Sequence, residues 1–268
     1  MLHTAKQLHG LSIRATDGAI GNVEDFLFDD EEWVIRYLVA DAGTWLANRH
    51  VLISPAAIGR PDWSAKLLGV GITKDQVKNS PDIDTHKPVS RQHETEYLDY
   101  YGYGAYWDGA GIWGMGAYPG SPTTEDAVLA EMKSRRRAGA QVRLPEDSHL
   151  RSCAKVSGYH VHATDGDIGH VEDFIVDDQT WAIRYLVVNT SNWWLGHQVL
   201  VAPQWVREVS WEARTVSVDL TRKALEDAPR YDSAGPPDRP HEVATYTHHK
   251  RPDYWTTDAG DGPPARDL

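Results

Sequence analysis

The ten residues Asp17-Gly18-Ala19-Ile20-Gly21-Asn22-Val23-Glu24-Asp25-Phe26 return as Asp165-Gly166-Asp167-Ile168-Gly169-His170-Val171-Glu172-Asp173-Phe174, an offset of 148 residues. The register then holds without a gap. Asp29-Asp30 meets Asp177-Asp178, and Trp33-Val34-Ile35-Arg36-Tyr37-Leu38-Val39 meets Trp181-Ala182-Ile183-Arg184-Tyr185-Leu186-Val187. Val51-Leu52-Ile53-Ser54-Pro55 matches Val199-Leu200-Val201-Ala202-Pro203, Trp63 matches Trp211, and Tyr106-Trp107 falls on Tyr254-Trp255. Two repeats are too few for a solenoid, which needs about three stacked units to bury a continuous core. Each copy is therefore expected to be a self-contained domain, one over residues 1–107 and one over 150–255. Residues 108–149 read as a glycine-aromatic linker plus one helix, and 256–268 as a disordered tail.

A length of 268 residues independently suggests about two domains. The net charge of −12 and pI near 5.5 oppose direct nucleic-acid binding, which rests on a clustered positive footprint. One cysteine, Cys153, faces Ala5 in the other copy and cannot form an internal disulfide, which suits a reducing cytoplasm. The first residues lack the apolar run of a signal peptide, and no stretch approaches the ~20 apolar residues that span a bilayer. The expectation is a soluble cytoplasmic protein without membrane insertion.

Within the first copy, Gly10–Ala15 reads as a strand and Thr16-Asp17-Gly18 as a turn in which glycine supplies positive φ. Val23–Phe28 is the returning strand, Trp33–Ala40 a β-branched and aromatic run suited to a largely buried strand, and Val51–Ile53 another. Leu67–Ile72 and its counterpart Thr215–Leu220 alternate with period two. Short strands separated by turns predict an antiparallel barrel or sandwich. Thr73-Lys74-Asp75-Gln76 has capping-box spacing and predicts a short helix to about Asn79, stopped by Pro81 as Pro229 stops its counterpart. Each copy then ends in an aromatic tail: Tyr97, Tyr100, Tyr101, Tyr103, Tyr106 and Trp107, against Tyr246, Tyr254 and Trp255. Residues 125–137 read as a helix, acidic at its start and basic at its end, as the macrodipole favours.

A module carrying Asp-Gly, then Val-Glu-Asp-Phe, then Ile-Arg-Tyr-Leu-Val, a Val-Leu-Ile strand and a terminal Tyr-Trp resembles the PRC-barrel family, over about residues 3–107 and 151–255. That family is named for the photosynthetic reaction centre, whose H subunit holds the barrel in its cytoplasmic part. A ribosome-maturation factor carries it as a C-terminal domain. The resemblance implies a mainly β fold: two tandem small antiparallel barrels of about six strands, closed or nearly so. It is nearest the stand-alone bacterial members. It implies an adaptor or assembly role and no defined chemistry.

Several motifs have a competing structural reading. Gly109–Gly114 fits G-x-G-x-x-G, which binds dinucleotides only where a strand feeds it and a helix opens directly after it; here more loop follows. Neighbouring residues on a strand face opposite ways. Glu24-Asp25 and Glu172-Asp173 therefore cannot converge on a substrate, and are expected to bond turn amides or to pair with Arg36 and Arg184. Asp29-Asp30 and Asp177-Asp178 could ligate calcium, yet acidic turns are mostly turns. His160 and His162 share one strand face and could begin a zinc site; the first copy has Ser12 and Arg14 there. No nucleophile elbow, H-E-x-x-H helix or P-loop occurs, so nothing argues for an enzyme or a cofactor.

The expected function is a non-catalytic protein-binding or assembly scaffold, whose partner is another protein or a second copy of the chain. Its contact surface is placed at Trp45, Trp193, Trp194, Tyr101, Tyr106, Trp107, Tyr254 and Trp255, because tyrosine and tryptophan give large contact area with a polar handle. The alternatives are an RNA-processing or ribosome-assembly adaptor, and a metal-binding protein or metal-dependent enzyme centred on His160 and His162. Gly18, Gly21, Asp25 and Arg36, with Gly166, Gly169, Asp173 and Arg184, are the repeated residues read as structural.

Overall fold

The computed structural model describes residues 1–46, 49–59, 61–81, 89–107, 111–114, 116–119, 149–190 and 196–256. The expected helix at 125–137, together with Trp193 and Trp194, lies outside the described residues. The chain opens with β1 (Leu2–Thr4) and a one-turn helix α1 (Ala5–Leu8). Then come β2 (Ser12–Ala15), β3 (Gly18–Asp29), β4 (Val34–Asp41), β5 (His50–Ile53), β6 (Leu67–Gly69), α2 (Lys74–Lys78) and α3 (Arg91–Tyr101). The second repeat supplies β7 (Leu150–Ser152), α4 (Cys153–Val156), β8 (His160–Ala163), β9 (Gly166–Asp177), β10 (Ile183–Asn189), β11 (Gln198–Val201), β12 (Val206–Ser210), β13 (Thr215–Val218), α5 (Arg222–Glu226) and α6 (Arg239–His249).

These elements gather into two compact units, and the division does not follow the repeats at their starts. One unit joins Met1–His9 to the chain from Ser152 onward; the other runs from Gly10 to Arg151. The expected boundaries put residues 1–9 with the first copy. By its contacts this segment belongs with the second, while Leu150 and Arg151 belong with the first.

Each unit is built on one sheet. The first repeat orders its strands β5-β4-β3-β2-β6, with β7 added on β3; the second orders them β11-β10-β9-β8-β13-β12, with β1 added on β9. The long strand explains the addition. One edge of β9 pairs with β10, and the other is shared: its first half pairs with β8, while Ile175, Val176 and Asp177 pair with Thr4, His3 and Leu2 of β1. The expected mainly β units are present, and each differs from a wholly antiparallel arrangement at one strand pair. β2 runs parallel to β6 and β8 parallel to β13, because β3 to β5, and β9 to β12 in the second copy, intervene along the chain. Among the described residues neither strand order closes on itself, as in a barrel that is nearly closed.

Local sequence accounts for the strands. Ser12-Ile13-Arg14-Ala15 alternates exposed and buried, as a half-covered strand must, whereas Val34–Ala40 is buried at every position. The turn after β2 has Ala15 opposite Gly18, whose φ of 151° suits glycine. The Asp17 carboxylate then receives the Lys74 amide at 2.8 Å, and Asp165 receives that of Arg222 at 2.7 Å, so each hairpin turn holds the start of the following helix. Thr73 and Gln76 form the expected capping box. The β6 strand is shorter than its alternation suggests.

Gly21 and Gly169 have a stricter cause. A Cβ on Gly21 would lie 1.8 Å from the Asp41 carbonyl oxygen, and one on Gly169 would lie 1.8 Å from that of Asn189. Both sit beside the bulges where β3 and β9 bend across their neighbours, so the repeated glycine lets two backbones touch. Gly21→Ala is expected to destabilise the chain by roughly 3 kcal/mol or more, since backbone must move. At Gly69 an added Cβ meets nothing within 4 Å, so Gly69→Ala serves as the near-neutral control. Denaturant unfolding of the two variants measures the difference.

Candidate functional site

In each sheet one bulge determines where a buried arginine points. In β4, Tyr37 faces Leu27 and Ile35 faces Phe28, which leaves Arg36 as the extra residue; in β10, Arg184 is extra in the same way between Ile183 and Tyr185. A bulge re-aims a side chain out of strict alternation. Arg36 and Tyr37 are accordingly both buried, each about 1% exposed.

A buried guanidinium needs partners, because taking an unpaired charge out of water is prohibitive. Arg36 Nη2 donates to Asp29 Oδ2 at 3.2 Å, and Nη1 donates to the Ile112 carbonyl. Its guanidinium lies 3.9 Å from the Tyr106 ring centre and 4.9 Å from that of Trp113. In the second copy Arg184 Nη2 donates to Asp177 Oδ2 at 3.3 Å and lies 4.2 Å from the Tyr254 ring. Glu24-Asp25 and Glu172-Asp173 thus do not supply the partner expected for these arginines. The Asp25 and Asp173 carboxylates receive the next residue's amide, from Phe26 at 2.7 Å and Phe174 at 2.8 Å, and Glu24 meets His50 at 2.7 Å.

A second polar layer was not read from the sequence. Ser90 caps α3 and Gly102 ends it in the left-handed conformation, so the first part of the expected aromatic tail, Tyr97 to Tyr101, is helical. Its buried side is Arg91, Glu94, Tyr97 and Leu98. Tyr106 donates to Glu94 Oε1 at 2.6 Å, and Arg91 Nη1 donates to the Tyr106 hydroxyl at 2.9 Å while lying 3.3 Å from Glu94 Oε2. Arg91 also covers Trp107 at 4.2 Å. The second copy repeats this. Tyr185 and Tyr254 donate to Glu242 Oε1 at 2.9 and 2.7 Å, Arg239 lies 3.0 Å from Glu242 Oε2, and Arg239 covers Trp255 at 4.3 Å. The copies differ in how the strand tyrosine meets the glutamate: the buried Tyr37 hydroxyl faces Glu94 outside strict hydrogen-bond geometry, whereas Tyr185 is bonded to Glu242.

Burial dominates the Glu94 carboxyl and pushes its pKa up to about 7, against the opposing pull of the Tyr106 hydrogen bond and the Arg91 charge. Glu94 is a sealed proton-binding group, 2% exposed, and has no open face from which to act on a substrate. Tyr106, expected on a contact surface, is 5% exposed and forms part of this seal. Tyr101, Trp107, Tyr254 and Trp255 are half-buried, their rings engaged within their own units. Trp45 is half-buried as well: its ring nitrogen donates to the Ile20 carbonyl, and Lys74 lies 4.5 Å over its ring.

The carboxylates considered for calcium have partners of their own. Asp29 is taken by Arg36 and the turn amides of Glu31 and Glu32, Asp30 by Arg151 at 2.7 Å, Asp177 by Arg184, and Asp178 by His3 at 3.1 Å. His160 and His162 are exposed, and His162 Nδ1 lies 2.6 Å from Asp167 Oδ1. Among the described residues no three His, Cys, Asp or Glu converge on a point. Gly111 and Gly114 close a tight turn that carries Ile112 and Trp113 to Arg36, while Gly109 and Ala110 lie outside the described residues.

The raised Glu94 pKa couples stability to pH. The folded state holds this proton more tightly than the unfolded chain does, whose value is near 4.5. The contribution is therefore fully present below about pH 4.5 and is lost as pH rises through about 7. Glu94→Gln removes the titration, so the stability of the variant relative to the natural chain should rise by about 3 kcal/mol across that window. Urea unfolding of both proteins at pH 4.5, 6 and 8 reads this; parallel pH profiles would refute it.

Residues 2–63 match the family model of the PRC-barrel domain. An uncharacterized protein of Deinococcus radiodurans is 36% identical over 73 residues, which covers 27% of this chain and 26% of that protein. The chain thus spans about a quarter of that relative's length. No helix among the described residues is long and apolar enough to cross a membrane. The family match and the resemblance of the motifs agree: residues 2–63 are similar to the PRC-barrel domain, and the 148-residue repeat sets a second copy of the same sequence pattern behind them.

Proposed function

We propose that the protein is a non-catalytic binding or assembly module, and that the first repeat presents its contact face at the C-terminal end of α3. The observation that carries this reading is the division between what the copies share and what they do not. Arg36, Tyr37, Glu94 and Tyr106, like their counterparts, are used up in holding strand, helix and tail together, so the most reactive-looking chemistry is structural. One turn farther along the helix the copies diverge. Tyr100, Tyr101 and Tyr103 of the first copy are replaced by His248, His249 and Arg251 in the second.

The first-copy face suits a protein partner. Tyr100 is 41% exposed and meets Tyr101 edge-on at 4.8 Å, and Tyr101 stacks on Tyr103 at 5.6 Å with planes 9° apart. A rigid tier of half-covered tyrosines offers contact area at small entropy cost. In the second copy the same positions are held by their own unit. His248 bonds the Ala224 carbonyl at 2.8 Å, Arg251 holds Asp219 at 2.9 Å, and burial lowers His249 to about 4, which keeps it neutral near pH 7.

Affinity capture from the native host with the full-length chain, quantified by mass spectrometry, tests the proposal. Tyr100→Ala combined with Tyr103→Ala should lower recovery of specific partners about tenfold or more. Gln92→Ala, exposed near the start of the same helix, should leave recovery unchanged. Equal recovery with all three chains would reject the tyrosine face.

A further inference from the structure

Among the described strands, β1 and β7 are those whose sheet partner belongs to the other repeat. Each lands on the same feature, the second half of the long strand's shared edge. At β9 the incoming segment is recognised at several points. Leu2, His3 and Thr4 make the ladder with Asp177, Val176 and Ile175, and His3 Nε2 lies 3.1 Å from Asp178 Oδ2. Thr4 caps α1 in a full capping box, the Lys6 amide lies 3.3 Å from Asp173 Oδ1, Lys6 Nζ lies 3.4 Å from Glu172 Oε1, and Leu8 is 1% exposed.

At β3 the equivalent segment makes equivalent contacts. The His149 carbonyl accepts from the Asp30 amide at 3.0 Å, and Arg151 Nε donates to Asp30 Oδ2 at 2.7 Å. Leu150 enters the core with Tyr37, Val39, Leu52, Tyr97 and Leu98. Arg151 stands at the repeat position of His3, and Asp30 at that of Asp178. The second aspartate of each acidic turn therefore receives the basic middle residue of a strand that arrives from the other repeat.

We infer that this edge is a donor-strand site. It takes, through main-chain pairing and the second turn aspartate, the N-terminal strand of another repeat of this kind, and it does so without needing the peptide linker between the repeats. This is β-strand addition at a sheet edge. The linker supplies effective concentration, and the recognition resides in the strands. The inference stands apart from the tyrosine face and survives if that face binds nothing.

The test uses the whole chain with a protease recognition sequence inserted between residues 130 and 131. After cleavage under native conditions, the two fragments should co-elute at the mass of the uncut protein and separate only in denaturant. Leu150→Asp with Arg151→Glu should weaken the cleaved pair about tenfold or more, as removal of a partly buried charge pair does. Fragments that separate on cleavage, or that stay together with unchanged affinity in this variant, would overturn the inference. A variant that misfolds is bypassed by a second arm, His3→Cys with Val176→Cys in a Cys153→Ser background, residues directly opposed in the β1–β9 ladder. Oxidation should join the two cleaved fragments covalently on a non-reducing gel; a folded protein with no such linked species would equally refute donor-strand pairing.

Discussion

A guanidinium buried at a strand bulge is the constraint on which each unit depends. Arg36 lies within a sheet otherwise lined by Val34, Ile35, Leu38 and Val39, where a charge is tolerable only if every direction it faces is answered. Asp29 answers it from the preceding turn, and the turn then bends so that Asp29 also holds its own amides. Tyr106 answers it from the tail, and Tyr106 can reach it only because Glu94 and Arg91 fix the hydroxyl from α3. One charge thus links the bulge, the acidic turn, the helix and the aromatic tail. Such a network lends specificity more than stability, since a charge left without its partner would be far costlier than an apolar residue at the same place.

The same constraint bears on the strand exchange. The turn that answers Arg36 with its first aspartate presents its second, Asp30, to Arg151; the second copy uses Asp177 and Asp178 in the same two ways. Two adjacent carboxylates point in opposite directions, one into the sheet and one to its edge. The acidic dipeptide is in this sense a hinge between core and docked strand, and this is a reason for both aspartates to recur in each copy. Calcium would have competed with both roles.

Most strands were legible because alternation and β-branched runs record which face of a sheet is wet. The turn glycines were legible for a similarly local reason. The helices α3 and α6 were not, because their buried stripes mix charge with apolar surface: Arg91, Glu94, Tyr97 and Leu98 in one, Glu242, Thr245 and Tyr246 in the other. A periodicity of apolar residues cannot report a face whose burial is secured by ion pairs. The available signal lay in the ends, Ser90 as cap and Gly102 as stop. Pairing of Arg36 with Asp29 rather than Glu24 or Asp25 was hidden because bulges at Glu24 and Arg36 shift the facing residues, and bulges leave no mark in residue type.

The exchange was illegible for a deeper reason. Because the repeats are homologous, β1 would find nearly the same ladder, the same aspartate and the same helix-capping carboxylate on β3 as it does on β9. A sequence pattern reports which surfaces are complementary, and complementarity here is satisfied equally in cis and in trans. What selects the partner is the path of the chain between α1 and β2, where His9 and Gly10 carry it out of one unit and into the other. Gly10 has a φ of 78° at that crossing; in the second copy the division falls earlier, between Arg151 and Ser152. The Gly10 value is strained for any side chain but open to glycine, so the turn that sends β1 to the second repeat's sheet is carried by a residue whose only chemistry is the absence of a Cβ.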